Sequence, residues 1–519
     1  MRITNGMMIN NTLSHINMNK LNVDKYSTQQ STGKKIQKPS DDPIIAVRAL
    51  RFRSQLAELN QYLEKNIPDA ESWLEVTEEA LGGVSGMLSE MQKYMEQGAQ
   101  DTLDLANRSA VIDTLKQYRE QIYENANADF AGRRIFTGYK TDTDMTFASD
   151  AKDVKYRITE KLTAEDFDTI SKVLNPIGVS DADVRVYEAD EMPNDKIDIH
   201  RLRLAYNDLL TEDTLTNADG TTQTVVPTVN LTNEDGTLGA AVTIKVISAA
   251  ADGTYRDEND AEVDPYKPGD GEIYFLANSG ELILGDTMYQ TLKEEELTVS
   301  YTKEGFVAGE LRPEHYFDCT RYTKENGITY AEDIVFEAQQ QDINYTVNFN
   351  QTLKVNTEGK NLFSHDVIRD LDDLIAALDD LTVIEEKLTK VRKMQQDSIY
   401  ADENSQKALA SMEEALEKEK ALQEDILQKR FERSMGLFED HQAAMDAEIA
   451  DVGNRYKRLS LNKQRLTDQQ TSVEDLKSTN EDIDLPETII NLSTASMVYE
   501  SSLSATSKVI AQSLINYLQ

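Results

Sequence analysis

One spacing repeats over 54 residues between Ile45 and Gly98. Steps of four and three carry Ile45, Ala49, Phe52, Leu56, Leu59, Leu63, Asn66, Ala70, Trp73, Thr77, Ala80, Val84, Met87, Met91, Tyr94 and Gly98. Only Asn66, Thr77 and Gly98 depart from apolar. Such a seam places one apolar stripe along a helix and predicts a long packed helix or two collinear ones, about 80 Å in length. Its start is marked by Pro39-Ser40-Asp41-Asp42-Pro43, where Asp42 can cap and Pro43 fits the first turn. Pro68 removes a backbone donor and is expected to kink the rod.

The rest of the chain divides by its breakers. Thirteen of the 23 Gly lie between Gly178 and Gly359, and six of the 10 Pro between Pro176 and Pro313. No Pro occurs from 314 to 485. Helices are therefore expected at both ends and strands between. Val111, Leu115, Tyr118, Ile122 and Asn125 continue the first helical region. Strands are expected at Val184–Tyr187, Val242–Val246, Leu297–Tyr301 and Ile343–Val347, with a hairpin over 271–284. A helix is expected near 196–211. Beyond Ser364, Ile368, Leu371, Leu374, Ile375, Leu378 and Leu381 form a helical face. Residues 401–440 hold 17 charged residues of both signs, a solvated helical surface. Met445, Ile449, Val452, Tyr456, Leu459, Leu466 and Val473 form a further seam that Pro486 ends.

The expected fold is mainly α, a long-helix coiled-coil rod formed by the N- and C-terminal segments, with a β-rich inserted middle region, α+β overall. The expected divisions are 1–43 and 481–519 as terminal arms, 44–145 and 356–480 as rod helices, the latter with a charged extension, and 146–355 as the β-rich part. A length of 519 residues suits several domains.

With 93 acidic against 54 basic residues the net charge is −39. Nucleic acid and anionic lipid are poor partners for such a chain. There is one cysteine, Cys319, so no intrachain disulfide can form. No 18-residue apolar run predicts membrane insertion, and the start is too polar for a secretory signal peptide. Neither a paired-histidine zinc motif, a phosphate-binding loop nor a nucleophile elbow is present. The group Glu314, His315, Asp318 and Cys319 reads as a loop with a buried thiol. Asp142, Asp144, Asp379 and Asp380 read as solvated surface, and Trp73 as core. No catalytic, cofactor or metal residue is assigned.

Both extremities carry thin amphipathic stripes. The first holds Ile9, Leu13, Ile16 and Val23 among many asparagines. The last holds Ile489, Leu492, Ser496, Tyr499, Leu503, Thr506, Ile510, Ser513 and Tyr517. Residues 1–66 have a net charge of +5, against the acidity of the remainder. Helices with such stripes are marginal alone. Periodicity leaves two readings open: a hairpin closing a monomeric domain, or an assembly arm ordered by its neighbours.

Several local signatures resemble the flagellar hook-associated protein 3 family, itself related to flagellin. They are Met1-Arg2-Ile3-Thr4 with Met7-Met8, and Ser31-Thr32-Gly33-Lys34-Lys35-Ile36 before Lys38-Pro39-Ser40-Asp41-Asp42-Pro43. Asn127-Ala128-Asp129-Phe130 with Ile135-Phe136-Thr137-Gly138, and Tyr345-Thr346-Val347 with Lys354-Val355-Asn356, follow the same pattern. Asp482-Ile483-Asp484-Leu485-Pro486 through Tyr499-Glu500-Ser501-Ser502-Leu503 and Ser513-Leu514-Ile515-Asn516-Tyr517-Leu518 complete it. The resemblance covers about 1–145, 340–380 and 445–519. It implies a structural subunit at the hook–filament junction of an extracellular bacterial flagellum, exported without a cleaved signal peptide. Implied partners are hook-associated protein 1, flagellin, further copies of the chain and an export chaperone. Ile9, Leu13, Ile16, Val23, Leu492, Tyr499, Leu503, Ile510, Leu514 and Tyr517 are the expected assembly interface. The alternatives are a flagellin filament subunit, and a secreted adhesin or glycan-binding protein anchored by its helical ends.

Overall fold

The computed structural model describes residues 5–517 except 101–102, 175, 181–182, 189–190, 218, 234, 251–253, 258 and 326–328; side chains are described for these other than 5, 325, 329 and 509–517. Among the described residues eight α-helices occur: α1 (Asn5–Thr32), α2 (Pro43–Gln61), α3 (Ile67–Gly98), α4 (Leu105–Asn125), α5 (Asp286–Leu292), α6 (His365–Gln396), α7 (Glu403–Glu481) and α8 (Leu485–Tyr517). Strands fill most of the interval between α4 and α6. By contact the chain falls into two units, one of residues 1–71, 345–353 and 457–519, the other of 72–344 and 354–456.

The long seam folds as α2 and α3, joined by a π-helical turn over Tyr62–Asn66. Ile67 N donates to Tyr62 O, five residues back. Pro68 has no N–H to give to Glu64 and its ring crowds that carbonyl, so the widened turn sits where the proline disrupts the ladder. Each departure from the seam has its own cause. Asn66 donates to Thr346 O at 2.7 Å. Thr77 is buried and its hydroxyl donates to Trp73 O. At Gly98, an added Cβ would lie 2.4 Å from the Phe431 ring.

In the first unit α2 runs antiparallel to the end of α7. Asn480 donates to Ile45 O, Gln470 to Asn60, and Lys463 pairs with Glu71. Ala46, Ala49, Leu59, Leu459, Leu466 and Val473 are buried along this pair. The hairpin of Asn344–Asn348 and Gln351–Lys354 is fixed on both sides. Tyr345 donates to Asp69 at 2.8 Å, and the buried Asn462 donates to Val347 O at 2.9 Å.

In the second unit a nine-stranded and a six-stranded sheet share a core containing Tyr156, Ile158, Leu202, Phe275, Leu282, Tyr301 and Phe306. The smaller sheet has a second apolar cluster of Ile170, Ile199, Ile247, Tyr274 and Ile283. Its hairpin of Ile273–Leu276 and Glu281–Leu284 is buried at every position, as strands covered on both faces must be. This hairpin lies within the one expected over 271–284.

Four local expectations are corrected. Residues 196–211 form no helix; Lys196–Arg203 is a strand. Its period-two pattern of Ile197, Ile199 and Arg201 is masked because the third position is a buried arginine. Val184–Tyr187 forms no strand, and Val184 and Tyr187 instead pack against Ile384, Leu388, Leu409 and Leu416 of α6 and α7. Val242–Val246 is not one strand: Leu238–Val242 joins the larger sheet and Lys245–Ala249 the smaller. Pro486 also differs from its expected part, since it stands in the first turn of α8 rather than simply ending α7.

Arg201 ties the smaller sheet to α6. It is 2% exposed and pairs with Asp168 at 2.8 Å, with Glu281, and with Asp373 of α6. Burial alone would raise the Asp373 carboxyl, but Arg201, Arg203 and Arg430 hold it down at about 2. In the shared core, burial pushes Glu160 up to about 7, although it accepts from Tyr301 Oη at 2.7 Å and Ala205 N at 3.1 Å. A raised carboxyl favours folding below its unfolded value and loses that contribution as pH rises towards 7. Glu160→Gln is therefore expected to abolish this loss, on the order of 3 kcal/mol at pH 8, measured as urea stability of the second unit's transition at pH 5 and pH 8. An unchanged pH dependence would contradict it.

Candidate functional site

The two chain ends meet at a junction of backbone bonds and one buried carboxylate. Gly33, at φ +71°, closes α1 and its N–H returns to Gln29 O at 2.8 Å. Ile483 N then donates to Gly33 O at 3.0 Å, and Lys35 N to Glu481 O at 2.7 Å. Glu481, 3% exposed, takes a two-pronged contact from Arg53 at 2.9 and 2.7 Å and lies 3.4 Å from Lys34 Nζ. Those hydrogen bonds hold its carboxyl below the ordinary range. Asp41 accepts from the amides of Gln37 and Lys38. Asp42 caps α2 through the amides of Ile44 and Ile45, with Pro43 at the first turn. The Gly-Lys-Lys and Pro-Ser-Asp-Asp-Pro runs thus build one corner where α1, α2, α7 and α8 begin or end.

From this corner α1 and α8 run side by side in opposite directions. Asn19 Nδ2 donates to Ser502 Oγ at 2.7 Å, well along both helices. The faces turned inward are half-buried: Ile9, Thr12, Ile16, Asn19, Val23 and Tyr26 on α1, and Leu492, Ala495, Ser496, Tyr499 and Ser502 on α8. Among the described residues these two helices bury no apolar side chain; the two that α8 buries are Thr488 and Thr506. Large apolar groups stand in water instead: Met7, Met8, Leu13, Met18 and Leu21 on α1, and Leu485, Ile489, Ile490, Met497, Val498 and Leu503 on α8.

The expected interface residues therefore separate into two groups. Ile9, Ile16, Val23, Leu492 and Tyr499 lie on the half-buried faces between the helices. Leu13 and Leu503 belong to the same stripes by spacing but are 47% and 44% exposed. Ile510, Leu514 and Tyr517 belong to α8 by backbone, but their side chains lie outside the described residues. Sequence reading missed a second stripe. Met7, Asn11, Ser14, Met18 and Leu21 repeat steps of four and three, offset from the first stripe; Ile490 and Met497 stand seven apart on α8. The offset repeat was the available signal.

Elsewhere the chemistry is structural. Cys319 is buried, and burial pushes its thiol up. His315 is lowered to about 4 by burial and its Nε2 lies 2.9 Å from Asp144 O. Trp73 is core, 6.0 Å from the Phe130 ring with the Arg133 guanidinium over its face. Among the described residues no group of His, Cys, Asp and Glu could hold a metal ion. No described helix is long and apolar enough to cross a membrane.

Residues 3–141 match the model of the bacterial flagellin N-terminal helical region, and 435–518 that of the bacterial flagellin C-terminal helical region. Both ends of this chain thus resemble the terminal helical regions of flagellin. Within that class the chain is similar to flagellar hook-associated protein 3 of Escherichia coli (strain K12), 32% identical over 145 residues, which is 28% of this chain and 45% of the relative. It is also 30% identical to a flagellin of Clostridium tyrobutyricum over 141 residues, 27% of this chain and 37% of the relative. The chain thus matches less than half the length of these curated relatives. A solved structure of a putative flagellar hook-associated protein from Vibrio parahaemolyticus aligns with 85% of this chain and 100% of its own, at 14% identity and a TM-score of 0.34.

Arg53 and Lys34 can return to solvent when their partner is lost, so Glu481→Gln is expected to cost only about 1–2 kcal/mol. A lowered carboxyl stabilises above its ordinary range and stops doing so as pH falls through its folded value. The substitution should therefore speed amide hydrogen exchange at 33–35 and 482–484 at pH 7. The difference should shrink as the pH is taken down through the acid range. Equal protection in both proteins at pH 7 would contradict the role given to this carboxylate.

Proposed function

We propose that this chain is a structural, non-enzymatic subunit of the bacterial flagellum that joins the hook to the flagellin filament. The observation that carries the reading is the absence of a buried apolar side chain in the described parts of α1 and α8, beside eleven exposed large apolar ones. A helix pair of this kind gains its packing from other chains. The inward faces hold the pair together, while Leu13, Leu503 and the second stripe meet neighbouring copies. Hook-associated protein 1 stands on one side of the junction and flagellin on the other. An export chaperone would cover the same apolar residues before assembly, and the subunit works outside the cell.

The similarity to a hook-associated protein 3 and to a flagellin at nearly equal identity gives the filament subunit as second reading. Gold-labelled antibody on intact flagella separates them: label confined to the filament base supports a junction subunit, and label along the shaft supports a filament subunit.

Leu503→Asp is expected to leave the stability of the isolated chain within about 0.5 kcal/mol, because the residue is exposed there. It should abolish junction formation, because the carboxylate would be buried unpaired between copies. Motile cells with normal junctions would contradict the assignment. Removing the last 30 or so residues is likewise expected to keep the second unit's thermal transition and to lose assembly.

A further inference from the structure

The first unit contains 16 basic and 15 acidic residues, a net charge of +1, so the second carries −40. Inside that acidic body one cleft holds a set of hydrogen-bond donors that nothing in the chain answers. It lies wholly within the second unit, between the end of the strand Ala151–Leu162 and the first turn of α6, and has a volume of about 310 Å3.

His365 and Arg369 stand one turn apart on α6, on the same face, and both line this cleft. Each is only 7% exposed. Nε2 of His365 and Nε of Arg369 are shielded from bulk water and have no hydrogen-bond partner among the described residues. The rest of the Arg369 guanidinium is engaged: one terminal nitrogen donates to Ser279 O at 2.6 Å and Gly280 O at 3.3 Å, and the other lies 3.8 Å from Asp372. The first amides of α6 are open as well. Ser364 precedes the helix and is of a type that often caps, yet its side chain accepts from no amide. By contrast Asp42, Asp104, Asp402 and Asp484 cap α2, α4, α7 and α8. Uncapped amides at a helix start favour an acceptor, above all an anionic one.

Buried polar atoms in folded proteins are nearly always satisfied. One bridging water needs only about 10–15 Å3, and this cleft is far larger. Its open groups are of one kind. Arg369 Nε and the α6 amides can only donate, and the neutral His365 ring, lowered to about 3 by burial and by Arg369, can donate from Nε2. The missing partner is therefore rich in acceptors. Part of the wall is apolar: the Tyr316 and Phe317 rings lie 4.7 and 5.3 Å from the His365 ring, and Leu162 and Leu204 are buried in the lining. Most charged groups of the wall are already answered. Arg203 pairs with Asp370 at 2.7 Å and Lys360 with Glu358 at 2.9 Å. Asp166 accepts from Thr163, and Glu160 from Tyr301 and Ala205. Lys161 and Asp366 stand exposed at the rim, one favouring an anion and the other opposing it.

We propose that this cleft is a binding site for a small organic carboxylate. Its oxygens would take the first amides of α6, Arg369 Nε and His365 Nε2, and its carbon portion would lie against Tyr316 and Phe317. The site uses neither terminal helix, so it stands or falls apart from the assembly role.

Benzoate serves as the probe and benzamide as its uncharged counterpart, each titrated into the full chain by calorimetry at pH 7. Benzoate is expected to bind with a Kd near or below about 1 mM, and benzamide at least about tenfold more weakly. His365→Phe keeps a ring in place and removes the nitrogen, so benzoate should weaken roughly tenfold or more. At the rim, Lys161→Gln should weaken it about threefold and Asp366→Asn tighten it about threefold. If His365→Phe does not fold, these two exposed positions decide the location. No benzoate binding to the unmodified chain up to about 10 mM means that water alone fills the cleft, and overturns the proposal. Equal affinity for the two probes overturns recognition of a carboxylate. Unchanged benzoate affinity in a folded His365→Phe protein, or in both rim variants, places the binding elsewhere and overturns the site.

Discussion

A helix in water holds its shape chiefly by burying one face, and α1 and α8 have too little to bury against each other. Their shared seam is half-covered and mixes Ile16, Val23 and Tyr499 with Asn19, Ser496 and Ser502. Leaving groups such as Leu21, Ile490 and Met497 in water forgoes roughly 1.5–3 kcal/mol for each that could be fully buried. The buried Glu481 and its two cations fix where the pair starts, and the backbone bonds of Gly33, Lys35 and Ile483 fix its direction. The corner is thus well determined while the helices it launches remain short of partners.

Charge is distributed to suit this arrangement. The unit that holds the terminal helices is nearly neutral, so copies can bring these helices together without strong repulsion. The acidic remainder holds its buried charges in compensated groups: Arg201 answers Asp168, Glu281 and Asp373 within one cluster. Buried ion pairs of this kind contribute little net stability, but losing one partner leaves an uncompensated charge. They therefore specify how α6 meets the smaller sheet more than they strengthen it.

The long seam was legible because packing on a helix leaves a strict period, and even its exceptions have local causes at Asn66, Thr77 and Gly98. The hairpin over 273–284 was legible from two apolar runs flanking the Asn278-Ser279-Gly280 turn, not from alternation, since both strands are buried at every position. Lys196–Arg203 was not, because Arg201 is a core residue whose burial depends on carboxylates at 168, 281 and 373, far away in sequence. Val184–Tyr187 alternates like a strand, yet packing against α6 and α7 decided its conformation. The terminal pair was half legible: Ile9 and Leu492 follow the stripe that faces the other helix, whereas the exposed Met18 and Met497 lie on a second, offset repeat. The Glu481 junction joins residues 428 apart and left no pattern to read.

Amide hydrogen exchange of the full chain, dilute and then assembled, bears most directly on the claim that the terminal pair is completed by other copies. The expected result is fast exchange along α1 and α8 beyond the Glu481 corner in the dilute chain, and strong protection after assembly. Helices already as protected in the dilute chain as the seam of α2 and α7 would contradict it.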